Sequence, residues 1–164
     1  MPSKYQLTFD GDLLQRGFWI YIWKVEDRKT SNLYYYVGRT GDSSSLNASS
    51  PFSRLSSHLS KNPKANALLK HLHAQGIAVG ECRFDFFSFG PLFFEAFNWE
   101  DHKHKRDKTA TVEKMVAQSL KERGVTVFGV HQVSQHRFID SPELRTIVDN
   151  IMDDITDNIH DTNK

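Results

Sequence analysis

Two runs of aromatic and β-branched residues, separated by a short polar segment, constrain the fold of this chain more than any other feature. The first run spans residues 18–25 (FWIYIWKV) and the second spans residues 33–38 (LYYYVG). Such residues favour strands, and the seven polar residues between the runs (EDRKTSN) predict a β-hairpin. Because side chains alternate between the two faces of a strand, Trp19, Tyr21 and Trp23 are expected to share one face.

The rest of the chain alternates helical and strand patterns after a serine-rich loop at residues 41–51. Helices are predicted at residues 52–60, 64–75 and 109–123, a third strand at 79–89 and a fourth at 125–130. A long connection, residues 90–108, is expected between the third strand and the third helix. The resulting order, β-β-α-α-β-α-β with an appended helix, predicts an α+β fold in which helices flank a small mixed or antiparallel sheet.

The appended C-terminal helix is predicted from its first three residues and from one apolar stripe. Ser141 is a capping residue, Pro142 suits the first helical position, and Glu143 lies in the first turn. Six apolar residues then recur at helical spacing: Leu144, Ile147, Val148, Ile151, Ile155 and Ile159. This stripe must pack on the chain's own body or on a second copy in a homodimer. We therefore divide the chain into a body, residues 1–138, and an acidic amphipathic helix, residues 139–164.

Length and composition favour a soluble, cytoplasmic domain. The chain has 164 residues, and no apolar run approaches the ~18 residues that a membrane-spanning helix needs. Its first residues lack the apolar segment of a signal peptide, so we expect no membrane partner. The single cysteine, Cys82, excludes an internal disulfide and a cysteine-cluster zinc site.

The charge distribution is uneven although the formal net charge is only +1. Residues 140–164 contain seven acidic and two basic residues, so the preceding residues are net basic. A basic body with an acidic C-terminal segment is compatible with a polyanionic partner.

The hairpin resembles the paired signature of the GIY-YIG nuclease family. Trp19-Ile20-Tyr21 and Tyr36-Val37-Gly38 match the two halves of that signature, with Trp19 at the position of its first glycine. Arg54 lies on the helix after the hairpin, as the family's arginine does, and His58 follows at a position where several members carry His or Tyr.

The resemblance continues in the same order and covers roughly residues 17–130. Residues 66–76 and the phenylalanine-rich strand match the family's second helix and third strand, and residues 112–116 match the helix with its metal-binding glutamate. The resemblance implies an endonuclease that hydrolyses DNA phosphodiester bonds with Mg²⁺, for which Mn²⁺ can substitute. It also implies that Glu113 holds the metal.

Phosphodiester hydrolysis needs an activated water, an anchored phosphate and a cation at the developing charge. Tyr21 is the candidate base for the water, with Tyr36 beside it. Ionising a tyrosine at neutral pH costs roughly 4 kcal/mol, which a nearby metal or guanidinium would offset. Both residues also fit the simpler interpretation of ordinary strand aromatics.

Arg54 and His58 are four residues apart, so one helix face presents both. The planar guanidinium of Arg54 suits a phosphate because it binds two oxygens at once. His58 is expected either to hydrogen-bond the phosphate or to orient a tyrosine. A solvated basic helix face is the alternative interpretation for the pair.

Glu113 is the candidate metal ligand, at the edge of an apolar helix stripe beside Val112. Mg²⁺ often takes one or two protein carboxylates and keeps several waters. Glu95 is a weaker candidate. The charged residues 101–108, with His102 and His104, are interpreted as a solvated loop facing DNA rather than as a metal site. Five basic residues are the candidate DNA contacts: Arg39, Lys61, Lys103, Lys105 and Arg106.

The sequence favours an endonuclease and leaves two other functions open. One is a catalytically inactive nucleic-acid-binding or assembly module with the same fold. The other is a protein-interaction domain built on the C-terminal helix. Restriction, mobile-element and repair roles are not distinguished, and target specificity is assigned to loops such as residues 41–51 and 98–108 or to a partner.

Overall fold

A computed structural model describes residue 2 and residues 4–42, 45–60, 67–129 and 137–160, with side chains of the last helix as far as residue 156. Four strands and four α-helices lie in these ranges: β1 Phe18–Asp27, β2 Asn32–Arg39, α1 Pro51–Leu59, α2 Ala67–Ala74, β3 Cys82–Phe93, α3 Trp99–Glu122, β4 Thr126–Val127 and α4 Pro142–His160. None of the described helices has the length and apolar character that crossing a lipid bilayer requires.

The four strands form one mixed sheet in the order β3-β1-β2-β4. β1 is antiparallel to both β2 and β3, whereas the short β4 is parallel to β2. The predicted hairpin and the predicted α+β class are confirmed. Within the hairpin, Tyr21 lies opposite Gly38 and Trp23 lies opposite Tyr36, so the two tyrosines and the glycine of the signature share one face.

Apolar residues cover both faces of the sheet. The face with Ile20 and Ile22 packs against α3 and α4. The face with Tyr21 and Trp23 packs against α2, whose Leu68, Leu69 and Leu72 are buried as predicted, and against leucines of α1. The candidate catalytic tyrosines therefore belong to the face that α1 and α2 cover.

The apolar stripe of α4 packs on the chain's own body. The described residues of α4 in the core are Leu144, Val148, Ile151, Met152 and Ile155, and they meet Val112, Val116 and Leu120 of α3. Ile147 is partly buried against the same core, and the side chain of Ile159 lies outside the described part. Of the two predicted arrangements, the intramolecular one is present, and a homodimer would have to use other residues than this stripe.

The predicted long connection at residues 90–108 is wrong. Residues 90–93 complete β3, and residues 99–108 form the first half of α3. The Asn98 side chain accepts a hydrogen bond from the Asp101 amide at 2.9 Å, and Glu100 and Asp101 occupy the first turn. A capping residue and acidic residues both stabilise a helix start. The loop at residues 98–108 that was expected to give specificity, and to face DNA, is therefore a helix.

Two strand boundaries also differ from the predicted ones. Residues 79–81 form a 3₁₀ turn before β3, and β4 has only two residues. The β-branched and aromatic residues 125–128 (VTVF) predict a strand, but only Thr126 and Val127 pair with β2, and residue 130 lies outside the described residues.

Candidate active site

Tyr21 and His58 form the centre of the site. The Tyr21 hydroxyl lies 2.7 Å from His58 Nε2, and both side chains are buried. The ring of Tyr36 lies 5.1 Å from the His58 ring, edge to face. The hydrogen bond satisfies two buried polar atoms, as burial requires, and it also places a candidate base beside a group that could accept its proton.

The start of α1 determines where His58 lies. The Ser50 side chain accepts a hydrogen bond from the Ser53 amide at 3.3 Å, and Pro51 occupies the first helical position. Both features stabilise a helix start. Arg54 and His58 then lie one turn apart on this helix, as their spacing predicted.

Gly38 makes room for the Tyr21 ring. A Cβ atom built at Gly38 would lie only 2.4 Å from the Tyr21 hydroxyl oxygen and 2.5 Å from the ring. Any side chain on this residue would displace the phenol. The glycine of the second signature half is thus required by the tyrosine of the first half, across the two paired strands.

Two ion pairs complete the site. Arg39 Nη1 lies 2.8 Å from Glu113 Oε2, and both side chains are largely buried. Arg54 pairs with Asp42, in the loop after β2. Asp42 was not predicted, because a single acid in a serine-rich loop carries no periodic signal. We call Tyr21, Tyr36, Arg39, Arg54, His58 and Glu113 the candidate cluster.

Burial keeps both tyrosines of the cluster neutral. It raises the pKa of Tyr21 far above its ordinary value, and the neighbouring Tyr36 raises it further, while Arg54 and Arg39 oppose the shift. Burial, with the Glu113 charge, raises the pKa of Tyr36 to about 12. A free phenolate at either residue is therefore unavailable at neutral pH, despite two nearby guanidinium groups.

His58 is also neutral. Burial lowers its pKa to about 4, and the positive charge of Arg54 adds to this effect. A neutral imidazole has one nitrogen that accepts a hydrogen bond. If Nε2 is the accepting nitrogen, the Tyr21 hydroxyl donates its hydrogen bond to Nε2. The phenol proton then points directly at a nitrogen that can take it up.

Three buried nitrogen atoms of the cluster have no hydrogen-bond partner among the described residues. They are Arg39 Nε, Arg54 Nε and His58 Nδ1. Leaving a buried polar group unpaired costs roughly 1–3 kcal/mol. An oxyanion bound beside these groups would supply the missing acceptors.

Glu113 is the one acidic residue of the cluster, and burial raises its carboxyl pKa although Arg39, Lys114 and Arg54 oppose the rise. Within the described ranges, no group of three or more His, Cys, Asp or Glu side chains could hold a metal ion. Mg²⁺ does not require such a group, since it binds through one or two carboxylates, waters and substrate phosphates. A single buried carboxylate beside an oxyanion site fits that donor set, and a cation there would favour its charged form.

Three predicted DNA contacts lie outside the cluster. Lys103, Lys105 and Arg106 are on α3, about 10–15 Å from Glu113 along the axis at 1.5 Å per residue. Lys105 pairs with Asp101 at 2.8 Å and Arg106 with Asp107 at 2.8 Å, which lowers their net charge toward DNA. Arg39 joins the cluster instead, and Lys61 lies outside the described residues.

Two other residues considered above, Glu95 and His102, make contacts that are typical of a structural role. Glu95, the weaker metal candidate, pairs with Arg16 at 3.1 Å. His102 is fully buried between the rings of Phe18 and Trp99, so the expectation of a solvated segment was wrong at this residue. His102 lies seven residues before the buried Thr109, a spacing that places both on one face of a helix. The charged residues around them obscured this pattern in the sequence.

Comparison of the chain with family models, curated proteins and solved structures gave no match.

Proposed function

We propose that this chain is a GIY-YIG-like, Mg²⁺-dependent endonuclease that hydrolyses DNA phosphodiester bonds. The observation that carries the proposal is the candidate cluster: two neutral phenols, a neutral imidazole, two guanidinium groups and one buried carboxylate converge on one site. The order β-β-α-α-β-α-β of the described elements supports the GIY-YIG-like topology, with α4 as an addition.

Phosphate binding is assigned to Arg54, with Arg39 beside it. The unpaired Nε atoms of both residues favour an anion with several oxygen acceptors, as a phosphodiester has. Asp42 pairs with Arg54 at present, and a phosphate of the same charge would compete for that guanidinium. The site thus favours a substrate that brings its own negative charge.

Water activation is assigned to Tyr21 and His58 acting together. Water loses a proton to the Tyr21 oxygen while the phenol proton passes to His58 Nε2, 2.7 Å away. The hydroxide attacks phosphorus in line as the bond to the 3′-oxygen breaks, which gives a 5′-phosphate, and the departing 3′-oxyanion takes a proton from solvent to become a 3′-hydroxyl. Burial and the charge of Arg54 keep His58 a weak base, but the negative charge of a bound phosphate raises the His58 pKa.

Metal binding is assigned to Glu113. When bound, Mg²⁺ would supply positive charge at the developing negative charge of the reacting phosphate. The Arg39 guanidinium occupies one carboxylate oxygen of Glu113, so Arg39 and the cation must share or exchange this carboxylate. Tyr36 borders His58 and is assigned to orienting the water.

Cleavage of supercoiled plasmid tests the proposal. Nicked or linear products are expected in Mg²⁺ and not in EDTA, with 5′-phosphate ends on sequencing. Salt-sensitive DNA binding without cleavage would instead support the inactive binding module. Absence of DNA binding would favour the remaining alternative, a protein-interaction domain.

A further inference from the structure

A cavity of about 920 Å³ adjoins the candidate cluster, between the N-terminal segment, α1 and β3. This volume is in the range of about 300–1,000 Å³ that is typical of pockets for small organic molecules. Leu59, which lines the cavity, follows His58 directly on α1. Phe86, which also lines the cavity, stacks on the Tyr21 ring with centroids 5.8 Å apart. The cavity and the cluster therefore share a wall.

Aromatic rings form the floor of this cavity. Trp19 and Trp23 lie on either side of Tyr21 along the same face of β1, and Phe84 and Phe86 lie beside them on β3. The Trp23 and Phe86 rings are 4.7 Å apart. Phe84 and Phe86 are only partly buried, and flat aromatic surfaces of this kind bind planar rings by stacking.

The two indoles also lack hydrogen-bond acceptors. Trp19 and Trp23 are 4% and 2% exposed, and neither Nε1 atom has a partner in the part of the chain that the structure describes. A buried indole N–H normally has one. A heterocycle with ring-nitrogen or carbonyl acceptors would supply it after a small shift of either ring.

The charged residues of the cavity exclude a phosphate group. Asp10 and Asp12 of the N-terminal segment line it, whereas the side chains of Lys24, Glu26, Arg83 and Asp85, which also border it, alternate onto the sheet face opposite Trp23. An anionic backbone is repelled here and attracted to Arg39 and Arg54 next door. Exocyclic amino groups, in contrast, are suitable donors to the carboxylates.

We propose that the cavity receives one unpaired, amino-bearing nucleobase, whose phosphate lies at the candidate cluster. The preferred substrate is then DNA with an unpaired nucleotide next to the bond that is cut. This inference depends on the proposed function, since the cluster must bind the attached phosphate.

Binding in EDTA tests the inference without cleavage. Labelled duplexes that are fully paired, or that carry one unpaired adenosine or one unpaired thymidine, are compared by fluorescence anisotropy. Because one stacked base is worth about tenfold or more in affinity, the adenosine duplex is expected to bind at least about tenfold more tightly than the paired one. Thymidine has no exocyclic amino group and is expected to bind less tightly than adenosine.

Two neighbouring leucines provide matched variants. Leu13 lines the cavity, whereas Leu14 is 53% exposed and does not. Leu13→Trp is expected to fill the cavity and abolish the preference for the unpaired adenosine, and Leu14→Trp is expected to keep it. Both variants are expected to bind the paired duplex as the wild type does.

Tryptophan fluorescence gives a second readout that requires no cavity variant. In a Trp99→Phe protein only Trp19 and Trp23 emit, and the adenosine duplex is expected to quench them while the paired duplex does not. Equal affinities for adenosine and paired duplexes, equal behaviour of the two leucine variants, or unquenched tryptophans would each overturn the cavity assignment. Equal affinity for adenosine and thymidine would overturn the role of the carboxylates. Normal cleavage of paired DNA alongside any of these results would leave the proposed function standing.

Discussion

Tyr21 and His58 are both kept neutral by burial, and for that reason neither is a good base alone. The phenol has a pKa raised by burial and by Tyr36, and the imidazole has a pKa of about 4. In the proposed mechanism their 2.7 Å contact would remove the difficulty, because the phenol would pass its own proton to the imidazole as it accepts one from water. No free phenolate would then have to form.

Removing either member of this pair is expected to slow cleavage. Tyr21→Phe and His58→Gln should each lower the single-turnover rate by at least ~10²-fold, the low end for a positioned acid–base group. Tyr36→Phe is expected to lower the cleavage rate less, because Tyr36 only borders His58. Tyr34→Phe, on the same face of β2 and stacked on Phe128, is the control. A Tyr21→Phe protein that cuts at the control's rate would show that the water is activated elsewhere.

His58 also predicts a pH dependence of stability. Its pKa is about 4 when folded and about 6.5 when unfolded, so the unfolded chain takes up the proton first as pH falls. The free energy of unfolding therefore decreases from about pH 6.5 towards pH 4. Urea unfolding at pH 7.5 and pH 5 is expected to show a smaller decrease for His58→Gln than for the wild type. An equal decrease in both proteins would mean that His58 is not held neutral.

The hairpin is the element that brings the signature halves together, and its close packing is testable at Gly38. In Gly38→Ala the new Cβ would contact the Tyr21 hydroxyl at 2.4 Å, so the ring must move. We expect a loss of stability of about 1–3 kcal/mol, typical of overpacking, and cleavage at least ~10²-fold slower. Gly80→Ala is the control, since nothing lies within 4 Å of its Cβ position. Wild-type cleavage by Gly38→Ala would show that the position of Tyr21 is unimportant.

Helix α4 is expected to stabilise the body through its buried stripe. Ile151→Asp places a carboxylate in the core between α3 and α4 and should cost at least about 3 kcal/mol of unfolding free energy. Asn150→Asp adds the same charge at an exposed neighbouring position and should cost little. Light scattering of the wild type is expected to give the monomer mass of 18.9 kDa. A stable Ile151→Asp protein would show that the stripe is not buried in the core, and only a wild-type dimer that this substitution dissociates would return the stripe to a dimer interface.

Local patterns in the sequence were enough to predict the hairpin, the buried leucines of α2 and the start of α4. Alternation, apolar spacing and capping residues each involve only a few neighbouring residues, so they can be recognised within one segment of the sequence. The first half of α3 was missed because its charged residues hide a helix whose buried side, at His102 and Thr109, is polar. The same holds for the site: spacing predicted Arg54 and His58 on one face, but Asp42 and the pairing of Arg39 with Glu113 depend on contacts between distant segments.

Acidic and basic side chains lie on different parts of the molecule. α4, which carries Asp149, Asp153 and Asp154, packs behind the sheet face that is opposite Tyr21, where its acids are remote from a phosphate at Arg54. The basic groups Arg39 and Arg54 lie at the candidate cluster, and the acid-lined cavity lies beside it. If the chain binds DNA as proposed, these charges would favour its backbone at the candidate cluster and disfavour it at α4 and at the cavity.

The central claim is that the candidate cluster cuts DNA with Glu113 as its metal-binding carboxylate, and one comparison tests it most directly. Single-turnover cleavage of supercoiled plasmid in Mg²⁺ is measured for the wild type, for Glu113→Gln and for Glu122→Gln, which changes an exposed glutamate near the end of the same helix. We expect Glu113→Gln to abolish cleavage while DNA binding is unchanged or tighter, because the amide keeps the shape and removes the charge, and we expect Glu122→Gln to cut as the wild type does. Cleavage by Glu113→Gln within tenfold of the wild-type rate would contradict the account and place the metal elsewhere.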